Sequence, residues 1–197
     1  KKIIFSVLIF VSINFVFAQE NTGQEFWITF QYTPKIGMNQ KFETALAEKT
    51  KLYNKSDNVV YTAVLMTGAE AENGKYERIM PRRSNQWFSE TLGTAETKFW
   101  QNNVAKYIQS GEGPYVWQRI KELCINFEEP NPTKYFRSLT RVLKNGNNEN
   151  FWRYLQRYTK VMRKVRPDIQ WGVFILNSGG NTNTVRLLTA FNNPNER

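Results

Sequence analysis

The sequence predicts an α+β fold built from two similar units, and three observations lead to that prediction. Two segments, "KIGMNQKF" at 35–42 and "KNGNNENF" at 144–151, share Lys, any residue, Gly, four mostly polar residues and Phe. Their glycines lie 109 positions apart, and so do their phenylalanines. Around both segments, the residue patterns follow the order strand, helix, strand, strand. The chain is therefore expected to contain one unit twice.

The first unit begins with a strand over 25–32, where apolar and polar residues alternate with the period of two that a strand requires. Helical spacing of apolar residues follows over 38–54. A buried type of strand is predicted over 58–68, and 75–80 is its expected hairpin partner after a Gly-containing turn.

The second unit repeats this order. A strand is predicted over 134–143, followed by a helix over 148–166 that Pro167 ends. Strands at 169–176 and 184–191 complete the unit. The helix carries an apolar stripe that is expected to face the core: Phe151, Leu155, Tyr158, Met162 and Val165.

The segment between the units is predicted to be mostly helical. It reads as a helix over 95–108, a break at "GEGP", a further turn or two of helix over 115–122, and a fourth strand over 123–127. We therefore expect a first unit at 19–131, including an extra helical segment and a linker, and a second, shortened unit at 132–197.

This order of elements and the two Gly-x4-Phe junctions resemble the dimeric α/β-barrel superfamily, in which two ferredoxin-like units pack sheet against sheet. The resemblance covers roughly residues 25–191. It implies tandem ferredoxin-like βαββ(αβ) repeats fused in one chain, with the second copy shortened. Members of the superfamily include cofactor-independent monooxygenases, lactone isomerases, haem-dependent enzymes and plain ligand binders. The haem-binding branch uses a histidine, which this chain lacks.

Composition excludes several kinds of site. The 197 residues contain no histidine and a single cysteine, Cys124. His-based general acid–base catalysis, catalytic triads and His ligation of haem or zinc are therefore excluded. Cys124 lies in an apolar run and is expected to be a buried thiol. No cofactor and no metal are predicted.

The N-terminal segment 1–18 is predicted to be a secretory signal peptide. Lys1 and Lys2 precede an apolar stretch, and a small-residue cleavage pattern ends at Ala18. A membrane anchor or a core helix is the alternative, but the stretch is shorter than the roughly 20 apolar residues that a span needs. The mature protein is expected to be secreted or periplasmic, without a membrane span.

Two arginines are the first candidates for ligand binding. Arg137 and Arg141 share one face of a predicted strand with Leu139, and the resemblance places that face between the two sheets. Buried guanidinium groups would need a carboxylate or an anionic ligand. The alternative is an edge strand with both arginines exposed. Four further residues could line the same cavity: Trp27, Gln31, Tyr61 and Trp171. Aromatic residues such as three of these more often serve the core.

The predicted helix at 148–166 carries a second candidate, a basic surface opposite its apolar stripe. It is formed by residues at helical spacing: Arg153, Arg157, Lys160 and Lys164. Such a surface could meet an acidic polymer, an acidic partner or a membrane surface, or it could simply be solvated. Its aromatic residues serve the core stripe, so nucleic acid is not the expected partner.

Three functions remain open from the sequence. The first is non-catalytic binding of a small anionic or aromatic molecule between the sheets. The second, implied by the resemblance, is a cofactor-independent monooxygenase or isomerase that uses Trp, Tyr, Asn and Arg to hold its substrate. The third is an interaction module that docks acidic polymers or partners through the basic helix. No catalytic residue is assigned at this point.

Overall fold

Seven antiparallel strands and three α-helices are found in the part of the chain that the structure describes. The computed structural model describes residues 23–55, 58–65, 74–127, 133–145 and 148–193. The strands are β1 (Phe26–Pro34), β2 (Tyr61–Val64), β3 (Tyr76–Arg83), β4 (Ile108–Arg119), β5 (Tyr135–Val142), β6 (Gln170–Ser178) and β7 (Thr184–Phe191). The helices are α1 (Asn39–Tyr53), α2 (Thr94–Phe99) and α3 (Asn148–Val165). The predicted α+β class is therefore confirmed.

All strands belong to one sheet with the order β2-β3-β1-β4-β6-β7-β5. Two segments of the chain run strand, helix, strand, strand: β1-α1-β2-β3 and β5-α3-β6-β7. In each, the last strand of the segment lies between the other two, which gives β2-β3-β1 and β6-β7-β5. Strand β4 joins them by pairing with β1 and β6.

The sheet is curled, and one ion pair across its inner face shows this directly. Glu77 on β3 and Arg186 on β7 are separated by three intervening strands. In a flat sheet their backbones would be about 19 Å apart, because neighbouring strands are spaced by about 4.8 Å. Instead, Arg186 Nη2 donates a 2.7 Å hydrogen bond to Glu77 Oε1. Strands β3 and β7 therefore face each other across the space that the sheet encloses.

The long helices cover the outer face of the sheet. Phe42 and Leu46 of α1 are buried, with 0% and 2% of their surface exposed. Leu155 of α3 is equally buried, whereas Phe151 is only half-buried at the edge of its cluster. The predicted stripe of α3 therefore faces the sheet at Leu155, whereas Phe151, Tyr158 and Met162 are only half-buried. The prediction is wrong for Val165, which is 62% exposed at the end of the helix.

The segment before the second unit differs from the prediction. Residues 115–119 are not helical but belong to the 12-residue strand β4, and only 121–123 form a short 3₁₀ turn. The expected strand at 123–127 contributes only an isolated bridge from Ile125 to Trp171. The segment "GEGP" does not separate two secondary-structure elements. It forms a bulge in β4, because Gly113 has a φ of +105° and a Cβ there would lie 2.8 Å from the Thr29 carbonyl oxygen.

Some predictions concern residues outside the described ones. The predicted signal segment at 1–18, residues 66–73 of the predicted strand and the turn after it, and Gly146 all lie there. Among the helices of the described residues, none is long and apolar enough to cross a bilayer.

Candidate functional site

A cluster of buried polar side chains lies between α1, the outer face of the sheet and the α2 region. We call it the Lys49–Arg78 cluster. Its members come from β1, α1, the end of α1, β3, α2 and the turn that follows α2: Tyr32, Lys49, Asn54, Arg78, Glu96 and Trp100. Four of them are less than a tenth exposed: Lys49, Asn54, Arg78 and Glu96.

The local sequence places both cations against the core. Lys49 follows Phe42 by seven residues, so the two side chains share one face of α1. Arg78 lies two residues after Tyr76 on β3, and alternate strand residues share a face. Tyr76 packs against Phe42, with ring centroids 5.2 Å apart. Arg78 therefore points under α1, as Tyr76 does.

Arg78 is only 1% exposed, yet all its hydrogen-bond acceptors are neutral. Its Nη2 donates to Asn54 Oδ1 at 2.6 Å. Its Nη1 donates to the hydroxyls of Thr50 and Thr62 at 3.3 and 3.4 Å. Burial lowers the pKa of Arg78 to about 10, so the guanidinium stays charged at neutral pH.

Lys49 forms the one close ion pair of the cluster. Its Nζ donates to Glu96 Oε1 at 2.5 Å and to Asn54 Oδ1 at 3.2 Å. Burial is the main influence on this amine and lowers its pKa, while the hydrogen bond to Glu96 acts in the opposite direction. The Asn54 oxygen thus receives hydrogen bonds from both cations and links them.

An aromatic wall completes the cluster. The rings of Tyr32 and Trp100 lie 5.3 Å apart, and Lys49 Nζ lies 6.0 Å from the Trp100 ring. Burial raises the pKa of Tyr32 to about 12, so its hydroxyl remains a hydrogen-bond donor at neutral pH. Trp100 begins a π-helical segment, Trp100–Val104, and such segments are frequent at functional sites.

The charges of the cluster do not cancel. Lys49 and Arg78 are cations, and Glu96 is the carboxylate between α1 and α2. Within the described residues, no carboxylate lies within ion-pair distance of Arg78. A buried charge without a charged partner is costly, and a group of perturbed pKa values in one place is typical of functional sites. The cluster is therefore suited to hold an anion beside an aromatic wall.

A groove of about 320 Å³ runs beside the cluster on the outer side of α1. Its lining residues on α1 include Thr44, Ala45 and Glu48, and the opposite wall includes Asn103 and Tyr107. Glu48 precedes Lys49, and Asn103 belongs to the π-helical segment that Trp100 begins. The groove therefore borders the same two elements that hold the cluster.

The inner face of the sheet is filled by side chains where the two halves meet. Arg186 lies over the Trp117 ring at 4.6 Å, and the Trp117 indole donates to the Thr29 hydroxyl at 3.1 Å. Of the sequence-predicted residues, Trp27 packs here against Phe174 at 5.0 Å. Gln31 is half-buried beside Glu77 on the neighbouring strand. Both lie on the face that was predicted for them.

Three of the other four predicted ligand-binding residues lie on the outer face. Arg137 and Arg141 are exposed on the edge strand β5, on the face that packs Leu139 towards α3. The expectation that they point into the enclosed space is corrected, because that face is the outer one. Trp171 also lies on the outer face, packed against Tyr158 of α3.

Tyr61 completes this set. Its pairing with Ile79, which itself pairs with Thr29, places it on the inner face, but at the edge strand β2, where it is 37% exposed. The structure therefore does not bring the six predicted residues together in one cavity. The four residues of the predicted basic surface are all exposed on α3: Arg153, Arg157, Lys160 and Lys164.

Sequence reasoning missed the Lys49–Arg78 cluster, although its signal was present. A lysine on the apolar face of α1 and an arginine alternating with Tyr76 and Met80 both indicate buried cations. No group of His, Cys, Asp and Glu among the described residues could hold a metal ion.

Comparisons with known proteins identify the fold. No protein-family model matches the chain, and no curated protein matches its sequence. Similar solved structures include the following two. One is a proposed monooxygenase from Lactobacillus acidophilus NCFM, with a TM-score of 0.58, 11% identity and coverage of 88% of this chain and 79% of that one. The other is a proposed monooxygenase from Fusobacterium nucleatum, with a TM-score of 0.62, 11% identity and coverage of 88% and 78%. The chain thus shares its fold with these two proteins.

Proposed function

We propose that this chain is a cofactor-independent monooxygenase of the dimeric α/β-barrel type. Its substrate would be an aromatic or enolisable molecule bound as an anion at the Lys49–Arg78 cluster. The observation that carries the proposal is Arg78, a cation that is 1% exposed and bonded to neutral acceptors only. The fold of the two similar structures supports the same reaction class.

The chemistry of dioxygen explains why an anion site suits this reaction. A deprotonated phenol or enol gives an electron to dioxygen far more readily than its neutral form does. A site that lowers the substrate's pKa therefore activates it. Two buried cations do so because a charge interaction is stronger in a low-dielectric interior than in water. For a methylene substrate, R₂CH₂ and O₂ give R₂C=O and H₂O, with all four electrons coming from the substrate.

Each residue of the cluster would have its own role in the reaction. Arg78 would hold the substrate oxyanion, since its charge is fixed at neutral pH. The Lys49–Glu96 pair would accept the proton that the substrate loses. Tyr32, which stays protonated, would donate a hydrogen bond, and Trp100 would contact the aromatic face of the substrate.

Two alternatives use the same cluster. Non-catalytic binding of a small anionic or aromatic molecule needs only the excess positive charge, and an isomerase would use the same stabilised anion without dioxygen. Oxygen consumption separates the monooxygenase from the other two, because only the monooxygenase consumes dioxygen in proportion to the substrate. Conversion of the probe without oxygen uptake then separates the isomerase from the binding protein.

The test is an oxygen-electrode assay with hydroquinones and enolisable polycyclic ketones as probes. Arg78→Met should lower kcat/KM about 10- to 100-fold, the scale of a hydrogen bond to a charged group. Arg137→Met is the matched control, because it removes an exposed arginine, and it should leave the rate unchanged. Probe binding without oxygen uptake would favour the binding protein. Equal loss in both variants would overturn the proposed site.

We also propose that 19–131 and 132–197 are equivalent tandem units. The shared strand order supports this, and so does the Glu77–Arg186 pair, whose members stand 109 residues apart, the same offset as the two glycines. If the units are equivalent modules, the two pieces co-expressed as separate chains should associate and fold. Failure of the pieces to associate would contradict this view.

Export is a further proposal, and it rests on the pattern of residues 1–18. Expression in a bacterial host should yield a mature chain that begins at or near Gln19, as read by intact-mass spectrometry. An intact leader on most of the exported pool would contradict it.

A further inference from the structure

The outer surface of α3 combines two features that a solvated helix does not need together. Three basic residues on it make no ion pair among the described residues: Arg157, Lys160 and Lys164. Beside them, Tyr154, Val161 and Val165 are 59%, 55% and 62% exposed. The positive charges alone would serve solubility, but three exposed apolar side chains in one line work against it.

The helix geometry places both sets on one ridge. At about 100° per residue, Leu155 defines the buried side of α3, and the basic residues lie roughly 140–200° from it. Tyr154, Val161 and Val165 lie about 80–120° from Leu155 on one flank. The two rows are therefore adjacent and parallel along a helix of 18 residues, which is about 27 Å long.

The charge of the ridge is not neutralised from its own helix. Glu149 is the acidic residue in the first turn of α3, more than one turn before Arg157. Two further arginines near the end of the helix are already engaged: Arg163 donates to the carbonyl oxygens of Glu122 and Cys124, and Arg166 pairs with Asp168. Arg157, Lys160 and Lys164 thus remain available to a partner.

We propose that this ridge docks on the surface of an anionic lipid bilayer, with α3 lying parallel to the membrane plane. Basic residues beside exposed apolar side chains are the features of helices that bind in the interface of a membrane. An acidic polymer would satisfy the cations but would leave the two valines and the tyrosine in water. The apolar row therefore favours lipid over a polyanion. This inference does not depend on the proposed oxygenase activity.

Vesicle co-sedimentation of the purified chain tests the proposal. Vesicles of phosphatidylglycerol and phosphatidylcholine should bind the protein, and vesicles of phosphatidylcholine alone should bind it much more weakly. Charge reversal by Arg157→Glu, Lys160→Glu and Lys164→Glu together should weaken partitioning about 100-fold or more, since each basic residue near an anionic leaflet contributes roughly a five-fold factor. Residues 1–18 are the same in every variant, so their contribution cancels.

Two further variants make the result specific. The first is a triple control variant that changes the charge by the same amount on the exposed surface at and just after α1: Lys41→Glu, Lys51→Glu and Lys55→Glu. It should have little effect on vesicle binding. Val161→Ser with Val165→Ser should reduce vesicle binding while retention on a heparin column stays the same. If the serine variant binds vesicles as well as the parent does, or if only heparin binding responds to charge reversal, the ridge is a polyanion site and the membrane proposal is wrong.

Discussion

The two helix–sheet layers on the outer face share their geometry and differ in what they bury. Beneath α1 the structure places Lys49 and Arg78. The residues 109 positions later beneath α3 are Tyr158 and Leu187, which belong to an apolar cluster around Leu155. One layer therefore holds charges where the other holds hydrocarbon, although both lie between a long helix and three strands of the same order.

This difference separates stability from function. The layer under α3 gains its stability from apolar area removed from water. The layer under α1 gives up part of that gain, because it buries two cations and a carboxylate, whose desolvation is costly. We infer that this cost is offset by a function of the buried charges, and we therefore place the candidate site in the first half.

The largest expected effect comes from moving the charge into the other layer. Leu187→Arg would place a guanidinium under α3 with no carboxylate built to receive it. We expect a loss of about 3–5 kcal/mol in the free energy of unfolding, the scale of an uncompensated buried charge. Urea denaturation would measure it. A loss below about 1 kcal/mol would mean that the α3 layer accommodates charge as readily as the α1 layer.

The paired phenylalanines give the next largest effect. Phe42 is fully buried, so Phe42→Ala should cost about 3–5 kcal/mol as a large-to-small core change. Phe151 is half-buried, and Phe151→Ala should cost about 1–3 kcal/mol, since less area returns to water. Urea denaturation of both variants measures this. The quantity compared is the shift of each variant's unfolding midpoint from that of the parent protein. Equal losses would show that the half-burial of Phe151 has no energetic consequence.

The reverse swap should have a small effect on stability. Arg78→Leu removes a buried cation that has no carboxylate partner, so we expect no change or a gain of about 1–2 kcal/mol in the free energy of unfolding. Arg186→Leu is the informative contrast. It leaves Glu77, which is 1% exposed, without its ion-pair partner, and it should cost about 3–5 kcal/mol. A large loss in Arg78→Leu would assign that arginine a structural role instead.

The sequence predicted most elements because their patterns are local. The strand at 184–191 and the apolar stripe of α3 depend only on neighbours a few residues away. The local pattern does not predict strand β4, because the segment around Gly113 is typical of a break between elements. Only the close approach of the Thr29 carbonyl oxygen shows that Gly113 forms a bulge within the strand. That contact is long-range, and no local pattern contains it.

The prediction that Arg137 and Arg141 face the enclosed space was wrong for a different reason. The 109-residue offset maps Arg137 onto Ile28 and Arg141 onto Tyr32. Tyr32 packs against Phe42 of α1, so this offset alone assigns both arginines to the helix-covered face. The prediction instead places them in one cavity with Trp27, whose face is one residue out of register with theirs. A shift of one residue reverses every side chain of a strand. The same offset correctly pairs Glu77 with Arg186.

The smallest effect concerns Tyr32, whose counterpart at the same offset is the exposed Arg141. Burial raises the pKa of Tyr32 to about 12, while the positive charge of Arg78 acts to lower it. The folded protein therefore holds this proton more tightly than the unfolded chain, whose tyrosines ionise near 10. Stability from this group is fully present below pH 10 and is lost as the pH rises through 12.

A spectrophotometric titration of the phenols tests this directly. The native protein should show a late-ionising tyrosine that is missing in Tyr32→Phe. Tyr76, whose pKa is also raised, mainly by burial, should still ionise late in that variant. In Arg78→Leu, Tyr32 should ionise at still higher pH, because the cation that favours the phenolate is gone. Arg141→Leu, the matched change in the second half, should leave the titration curve unchanged. If Tyr32 ionises near pH 10 in the native protein, the α1 layer is open to water, and the argument that its cations act from a low-dielectric interior no longer holds.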